Sequence, residues 1–176
     1  CRLLGGTELN TPESRLKYGI RSKFRPLHLG SGEYADRIVI DCEEVIIETN
    51  SITEEEIQSM RPLNWLLFLS WNFGYYLEPL KFGLTLGINP ADVMLRMIRT
   101  MSNSHDELGD MFREFENESK NEWFDSYETL YKAYAKKDES DQLLADNYAK
   151  LNHKYTGKIL FEHKDKMNKL VYDVLC

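Results

Sequence analysis

Four histidines are the side chains best suited to acid–base or metal chemistry in this sequence. They are His28, His105, His153 and His163. A helical di-iron site needs a Glu-x-x-His spacing, because both ligands must project from one helix face. The residues three positions before the histidines are Arg25, Ser102, Lys150 and Leu160. The spacing excludes a di-iron carboxylate site, and no histidine has a neighbour that gives it a catalytic or metal-binding role.

Three cysteines could act as ligands, nucleophiles or disulfide partners. They are Cys1, Cys42 and Cys176, an odd number with no close pair. This spacing excludes a zinc ribbon and the CxxxCxxC pattern that holds an iron–sulfur cluster. Reduced thiols in a cytoplasmic chain are the expectation. Motifs of metalloproteases, serine hydrolases and nucleotide-binding proteins are also absent from the sequence. A serine or cysteine nucleophile stays open.

Charged residues concentrate in the N-terminal third. Arg15, Lys17, Arg21, Lys23 and Arg25 follow one another within eleven positions. Such a stretch can bind phosphate, but a solvated face, or a surface that docks against another part of the protein, is the favoured interpretation. A second, acidic group separates two apolar triplets and is expected at the tip or edge of a hairpin, as a solvated turn. It consists of Asp41, Glu43 and Glu44.

Length and composition describe a folded, acidic chain. It has 176 residues, 42% of them hydrophobic, and a formal net charge of -7. One domain of this length buries roughly 70% of its unfolded surface, so it needs no disulfide or metal to hold a core. The acidic balance argues against a nucleic-acid partner. The most apolar stretch, residues 63–88, is interrupted by polar residues, which predicts a buried helix and no membrane span.

The pattern along the chain predicts a mainly α fold. Residues 1–36 are expected to be extended or looped, and residues 37–50 to form two short strands or one bent strand. About five or six helices then follow as a bundle, which gives an N-terminal segment 1–50 and a helical domain 51–176.

Helix signals place these helices along the chain. Thr53 to Glu56 and Ser104 to Glu107 each read as a capping box, Pro62 restarts a helix, and Asn89 caps another. Leu63, Leu66, Leu67, Ser70 and Trp71 are predicted as one buried stripe, and the methionines as core filler. Aromatic residues from Trp123 to Tyr134 are predicted on one helix ending near Lys136 and Lys137. Ser140 and Asp141 are expected to cap a last helical run that Gly157 divides.

Several short segments in the first third of the chain form a recognisable set. The first are Gly6-Thr7-Glu8-Leu9-Asn10, Glu13-Ser14-Arg15, Lys17-Tyr18-Gly19, Phe24-Arg25-Pro26 and Gly32-Glu33-Tyr34. Further along are Glu44-Val45-Ile46-Ile47-Glu48-Thr49-Asn50, Glu54 and Arg61-Pro62-Leu63. Together these segments resemble the region that follows the catalytic barrel in radical S-adenosylmethionine proteins with a cobalamin-binding domain.

The resemblance implies that this chain is the C-terminal accessory region of such an enzyme, inactive alone. It would cover the barrel mouth and shape the substrate pocket. Its partners would be the missing barrel and cobalamin-binding domains, with a 4Fe-4S cluster, S-adenosylmethionine and, as an optional cofactor, cobalamin in the parent. No cofactor is expected in this chain. Arg25 and Arg61 are the candidate substrate-binding residues, since a guanidinium can pair with a substrate carboxylate or with Glu43 and Glu44. A structural salt bridge is the favoured alternative.

Two alternatives stay open. The density of aromatic and methionine residues from Trp65 to Tyr134 also suits a free-standing helical module that binds a protein or an apolar ligand. The first residue, Cys1, indicates either truncation from a longer chain, which the resemblance favours, or a processed lipoprotein end. The substrate, the reaction subtype and the oligomeric state are not encoded in any recognisable motif.

Overall fold

A computed structural model of the chain describes residues 2–35, 37–135 and 151–175, and only the backbone of residues 28–31 and 37. The fold is mainly helical with a small antiparallel sheet near the N-terminus, which confirms the predicted class. The described residues form two compact units. Within the described ranges, the first comprises residues 2–58 and 120–135, and the second residues 59–119 and 151–175. The predicted boundary at residue 50, at the junction with a missing barrel, stays a prediction.

The first unit is built around a long β-hairpin. Its elements are a 3-10 turn (Glu8–Asn10), α1 (Pro12–Tyr18), β1 (Arg21–Tyr34), β2 (Arg37–Glu48), α2 (Glu54–Ser59) and α7 (Tyr127–Tyr134). The prediction of an extended or looped segment up to residue 36 was wrong for α1 and β1. Pro12 presets the first turn of α1, the Thr11 hydroxyl accepts the Ser14 amide, and Gly19 ends the helix at φ 60°.

Residues 37–48 form a single strand, β2, and the acidic residues do not lie at a turn. Arg25 pairs with Glu43 and Phe24 with Glu44 in the middle of the antiparallel ladder, which has a register shift between Pro26 and Ser31. The chain reverses instead after Tyr34, where Ala35 has a φ of 48°. The expectation of a hairpin tip at Glu43 and Glu44 was wrong, because the pairing partner of β2 is the upstream strand that the sequence pattern did not indicate.

Neighbouring segments cover the edges of the hairpin. Phe24 and Phe124 exchange two backbone hydrogen bonds of 2.8 Å, and the Leu3 amide donates to the Glu44 carbonyl. Pro26 has no amide to offer a further strand. Ile40 of β2 and Leu130 of α7 are fully buried, with several half-buried aromatic neighbours. Helix α7 therefore packs on the hairpin and closes the small core of this unit.

The second unit is a helical bundle. It contains α3 (Arg61–Leu67), a π-helical turn (Phe68–Asn72), α4 (Leu77–Thr85), α5 (Pro90–Asn103), α6 (Glu107–Asn121), α8 (Leu151–Phe161) and α9 (Lys164–Leu175). Trp65 is fully buried between Phe115 and Tyr155, with ring centroids 4.9 and 6.4 Å away. The prediction that Met94, Met97 and Met101 fill the core is confirmed; Met111 and Met167 are buried with them, whereas Met60 is exposed.

Three helix starts follow their sequence signals. The Glu56 amide donates to the Thr53 hydroxyl, and the Glu56 carboxylate accepts the Thr53 amide, which completes a capping box. The Asn89 side chain accepts the Ala91 amide ahead of α5. Pro62 lies in the first turn of α3, directly after the break that it was expected to cause.

The sequence predicted the wrong buried face for α3 and the π-turn. The buried stripe of α3 and the π-turn is Trp65, Leu66, Leu69 and Ser70, while Leu67 and Trp71 are exposed. The π-turn adds a residue to one helical turn and so rotates the positions from Phe68 onward, Trp71 among them, whereas Leu67 precedes it.

Three further boundaries also differ. Helix α6 is capped by Asp106, which accepts the Gly109 amide, rather than by Ser104. Trp123 and Phe124 lie outside any helix, and α8 runs straight through Gly157. The predicted turn at Lys136 and Lys137 and the predicted cap at Ser140 and Asp141 lie outside the described residues.

Helices of the described ranges are all too short or too polar to cross a membrane.

Candidate functional site

Arg15 is the centre of a polar network at the base of the hairpin. It projects from α1, and its guanidinium donates to Asn10 Oδ1 at 2.7 and 3.0 Å and to Glu44 Oε1 at 2.6 Å. Ser22 on β1 donates to the same Glu44 oxygen at 2.5 Å. These contacts join the 3-10 turn, α1, β1 and β2, so one guanidinium fixes four consecutive elements.

Glu43, which directly precedes Glu44 in β2, is the centre of a second polar network. Its side chain is only 7% exposed, and its carboxylate contacts the Nε atoms of both Arg2 and Arg25. Arg25 also donates to Glu122 at 3.2 Å and lies over the Trp123 ring, with Cζ 5.2 Å from the centroid. A buried carboxylate requires such partners, because desolvation of an unpaired charge is costly.

Residues 122–125 dock along the outer edge of β1. Glu122 pairs with Arg25, Phe124 with the Phe24 backbone, and Asp125 Oδ1 lies 3.8 Å from Lys23 Nζ. Ser126 then caps α7 through a reciprocal pair of hydrogen bonds with Thr129. The sequence prediction missed this docked segment because its aromatic residues happen to continue the helical spacing of α7. The strong Ser126 cap was the signal that could have separated them.

The basic stretch is largely neutralised within the first unit. Arg15 pairs with Glu44, Arg21 with Glu48 and Glu54, Lys23 with Glu54, and Arg25 with Glu43. Lys17 Nζ lies 4.9 Å from the centroid of the Tyr18 ring. These partners explain why so many cations follow one another here. A phosphate would have to compete with the carboxylates that already hold them.

The two candidate substrate-binding residues lie in different units. Arg25 is on β1, and its guanidinium is engaged by Glu43, Glu122 and Trp123 as described above. Arg61 is the first residue of α3 and is half-buried. Arg25 forms the structural salt bridge with Glu43 that was the favoured alternative to a substrate contact. Contact of either residue with a substrate stays a prediction.

Gly19 and Asn50 form a tight closure between α1 and the end of the hairpin. The Asn50 amide donates to the Tyr18 carbonyl, and its side chain donates to the Lys17 carbonyl. A Cβ atom on Gly19 would come within 2.0 Å of Asn50 Oδ1, and Gly19 has a positive φ of 60°. The position therefore requires glycine for both reasons.

Histidine and cysteine side chains are not gathered into a reactive site in the described ranges. His153 lies against the rings of Phe68 and Phe73, with centroids 4.8 and 5.9 Å away. Burial raises the pKa of the half-buried Cys42 thiol, with the carboxylates of Asp41, Glu44 and Glu43 adding to the effect. The thiol is therefore held protonated and is a poor nucleophile. No group of three or more candidate metal ligands occurs in the described ranges.

A cavity of about 410 Å³ lies beside α6 in the second unit. It is lined by Glu107, Asp110, Met111, Glu114, Lys158, Glu162 and His163. Three of these carboxylates already have partners, since Lys158 contacts Glu114 at 2.5 Å, Lys166 contacts Glu107 at 2.6 Å and Arg113 contacts Asp110 at 2.5 Å. Lys154 pairs with Glu118 one turn further along α6. The arrangement is a ladder of ion pairs that ties α8 and α9 to α6.

Large apolar side chains are exposed between Leu67, the last residue of α3, and Leu86, which follows α4. Seven of them keep between 36% and 64% of their surface accessible: Leu67, Trp71, Phe73, Tyr75, Phe82, Leu84 and Leu86. Single exposed apolar residues are ordinary, so it is their number within twenty positions that distinguishes this stretch.

No family model matches the chain, and a search of curated proteins finds no significant match.

Proposed function

We propose that this chain is the C-terminal accessory region of a radical S-adenosylmethionine enzyme of the cobalamin-binding type. It covers the mouth of the catalytic barrel, helps to shape the substrate pocket, and is inactive alone. The observation that carries the proposal is that segments quoted for the resemblance, although separated in sequence, bond to one another in the first unit. Asn10, Arg15 and Glu44 meet in one network, and Tyr18 and Gly19 meet Asn50 in another.

The contacts join the quoted segments into one polar substructure of the first unit. Residues in such a substructure depend on one another, because loss of one leaves the polar partner of another unpaired. The family assignment itself rests on the quoted residues.

The cofactors of the proposed parent belong to its other domains. The three cysteines of this chain are far apart in sequence and do not provide the CxxxCxxC pattern that a 4Fe-4S cluster needs. The residues of this chain therefore do not fit the cluster. We assign the cluster, S-adenosylmethionine and cobalamin to the upstream domains and assign no catalytic residue here.

Exposed apolar residues of the second unit support a docking role. A region that covers a barrel must present a surface to it, and Trp71, Phe73 and Phe82 are available for that purpose. Arg25 and Arg61 remain the proposed contacts to a substrate carboxylate. For Arg25 such a contact would replace Glu122, the more accessible of its two carboxylate partners.

The direct test is the coding DNA immediately upstream of Cys1, translated in frame for a few hundred codons. We expect a CxxxCxxC motif ahead of a repeated strand–helix pattern. A start codon or a lipoprotein signal directly before Cys1 would overturn the proposal.

A free-standing helical binding module is the second candidate, and the same exposed residues favour it. The aromatic and methionine residues first considered for its binding face, such as Trp65 and Met97, are buried in the core. Its binding surface would instead consist of Trp71, Phe73, Phe82 and their neighbours. A stable monomer with cooperative melting in the absence of any partner would favour this candidate, whereas aggregation of the purified chain would count against it.

A further inference from the structure

We draw no further inference here: the strongest candidate, the cavity of about 410 Å³ beside α6 that Glu107, Asp110, Glu114, Glu162, His163 and Lys158 line, rests on a cluster of acidic side chains with no second observation that points to a ligand.

Discussion

Glu43 is the residue on which the second polar network of the first unit, formed with Arg2 and Arg25, depends. Its buried carboxylate contacts two arginines, Arg2 and Arg25. Replacement by glutamine keeps the shape but leaves both guanidiniums without their shared counter-charge. Because Arg2 and Arg25 are partly exposed, we expect Glu43→Gln to lower the free energy of unfolding by about 1–3 kcal/mol. Urea unfolding followed by circular dichroism measures this loss.

The matched control for Glu43 is Glu48→Gln on the same strand. Glu48 pairs with the exposed Arg21, which also contacts Glu54, and Glu48 is far more accessible than Glu43, so its loss should cost no more than about 1 kcal/mol. Equal unfolding midpoints for the two variants would show that the burial of Glu43 has no energetic consequence.

Gly19 gives a second prediction at the scale of a single residue. Alanine at this position must adopt a positive φ and must also displace the Asn50 side chain from its hydrogen bond to Lys17. We expect Gly19→Ala to destabilise the chain by about 2–4 kcal/mol, of which 1–2 come from the backbone alone. Thermal unfolding of the purified variant measures the effect.

Gly6→Ala is the control for Gly19, because Gly6 has a φ of 79° but open space around its Cβ position. It should show the backbone cost without the clash. If Gly6→Ala destabilised the chain as much as Gly19→Ala, the contact with Asn50 would be irrelevant to stability.

Among the elements, α6 has an N-terminal cap that responds to pH. Hydrogen bonds from the Gly109 amide and from Ser104 lower the pKa of Asp106 from its ordinary value of 3.8. The folded-state pKa is thus below the unfolded one. The stabilisation by the charged cap is complete above the unfolded value and is lost as the pH falls through the folded value.

Asp106→Asn should therefore lower the melting temperature near pH 6, and the difference from wild type should disappear as the pH falls through the folded-state pKa of Asp106, below which the wild-type carboxyl is also neutral. Melting curves across this pH range test the prediction. Asp92→Asn is the control, because Asn89 already provides the capping oxygen of α5. A difference between wild type and Asp106→Asn that stayed constant with pH would contradict a role for the charge.

The docked segment 122–125 makes a prediction about the edge of β1. Arg25 holds this segment through Glu122 and Trp123, and lysine can provide neither the planar fork nor the stacked face. We expect Arg25→Lys to accelerate amide hydrogen exchange of Phe24 and Phe124 about fivefold, which corresponds to about 1 kcal/mol. Arg21→Lys serves as control, and equal exchange in both variants would exclude a holding role for Arg25.

Local signals in the sequence predicted some elements well and failed for others. The starts at Thr53 and Asn89 were predictable because a cap involves neighbours within three or four positions. The pairing of Glu43 with Arg25 and the docking of Phe124 on Phe24 depend on residues far apart in sequence. The acidic residues between two apolar triplets indicated a turn at Glu43, because no local feature distinguishes a solvated carboxylate from one that a distant arginine neutralises.

At the scale of the whole molecule, the chain has two cores and returns to its first unit after residue 119. A division of the sequence at a single point could not anticipate that return, since α7 carries the same helical pattern as the bundle. Because each unit has its own core, unfolding by denaturant should be followed with probes in both units rather than treated as one transition. Trp123 reports on the first unit and Trp65 on the second.

The exposed apolar residues of the second unit provide the test of the docking role. Glutamine at Trp71, Phe82 and Leu86 together should leave the melting temperature nearly unchanged, because these side chains are at least 46% exposed. The same triple variant should reduce binding of a hydrophobic dye and self-association of the isolated chain. Glutamine at Leu16, Phe161 and Tyr172 is the control, since these exposed side chains lie outside the stretch from Leu67 to Leu86.

Co-expression of the chain with the protein encoded upstream then separates the two proposed functions. If the chain is an accessory region, the triple variant should co-purify at least tenfold less with the upstream domains than wild type, because contacts at an interface centre contribute most of the binding energy. The control variant should co-purify normally. Equal co-purification of both variants would mean that another surface meets the barrel. A wild-type chain that is monomeric and fails to co-purify at all would favour the free-standing module.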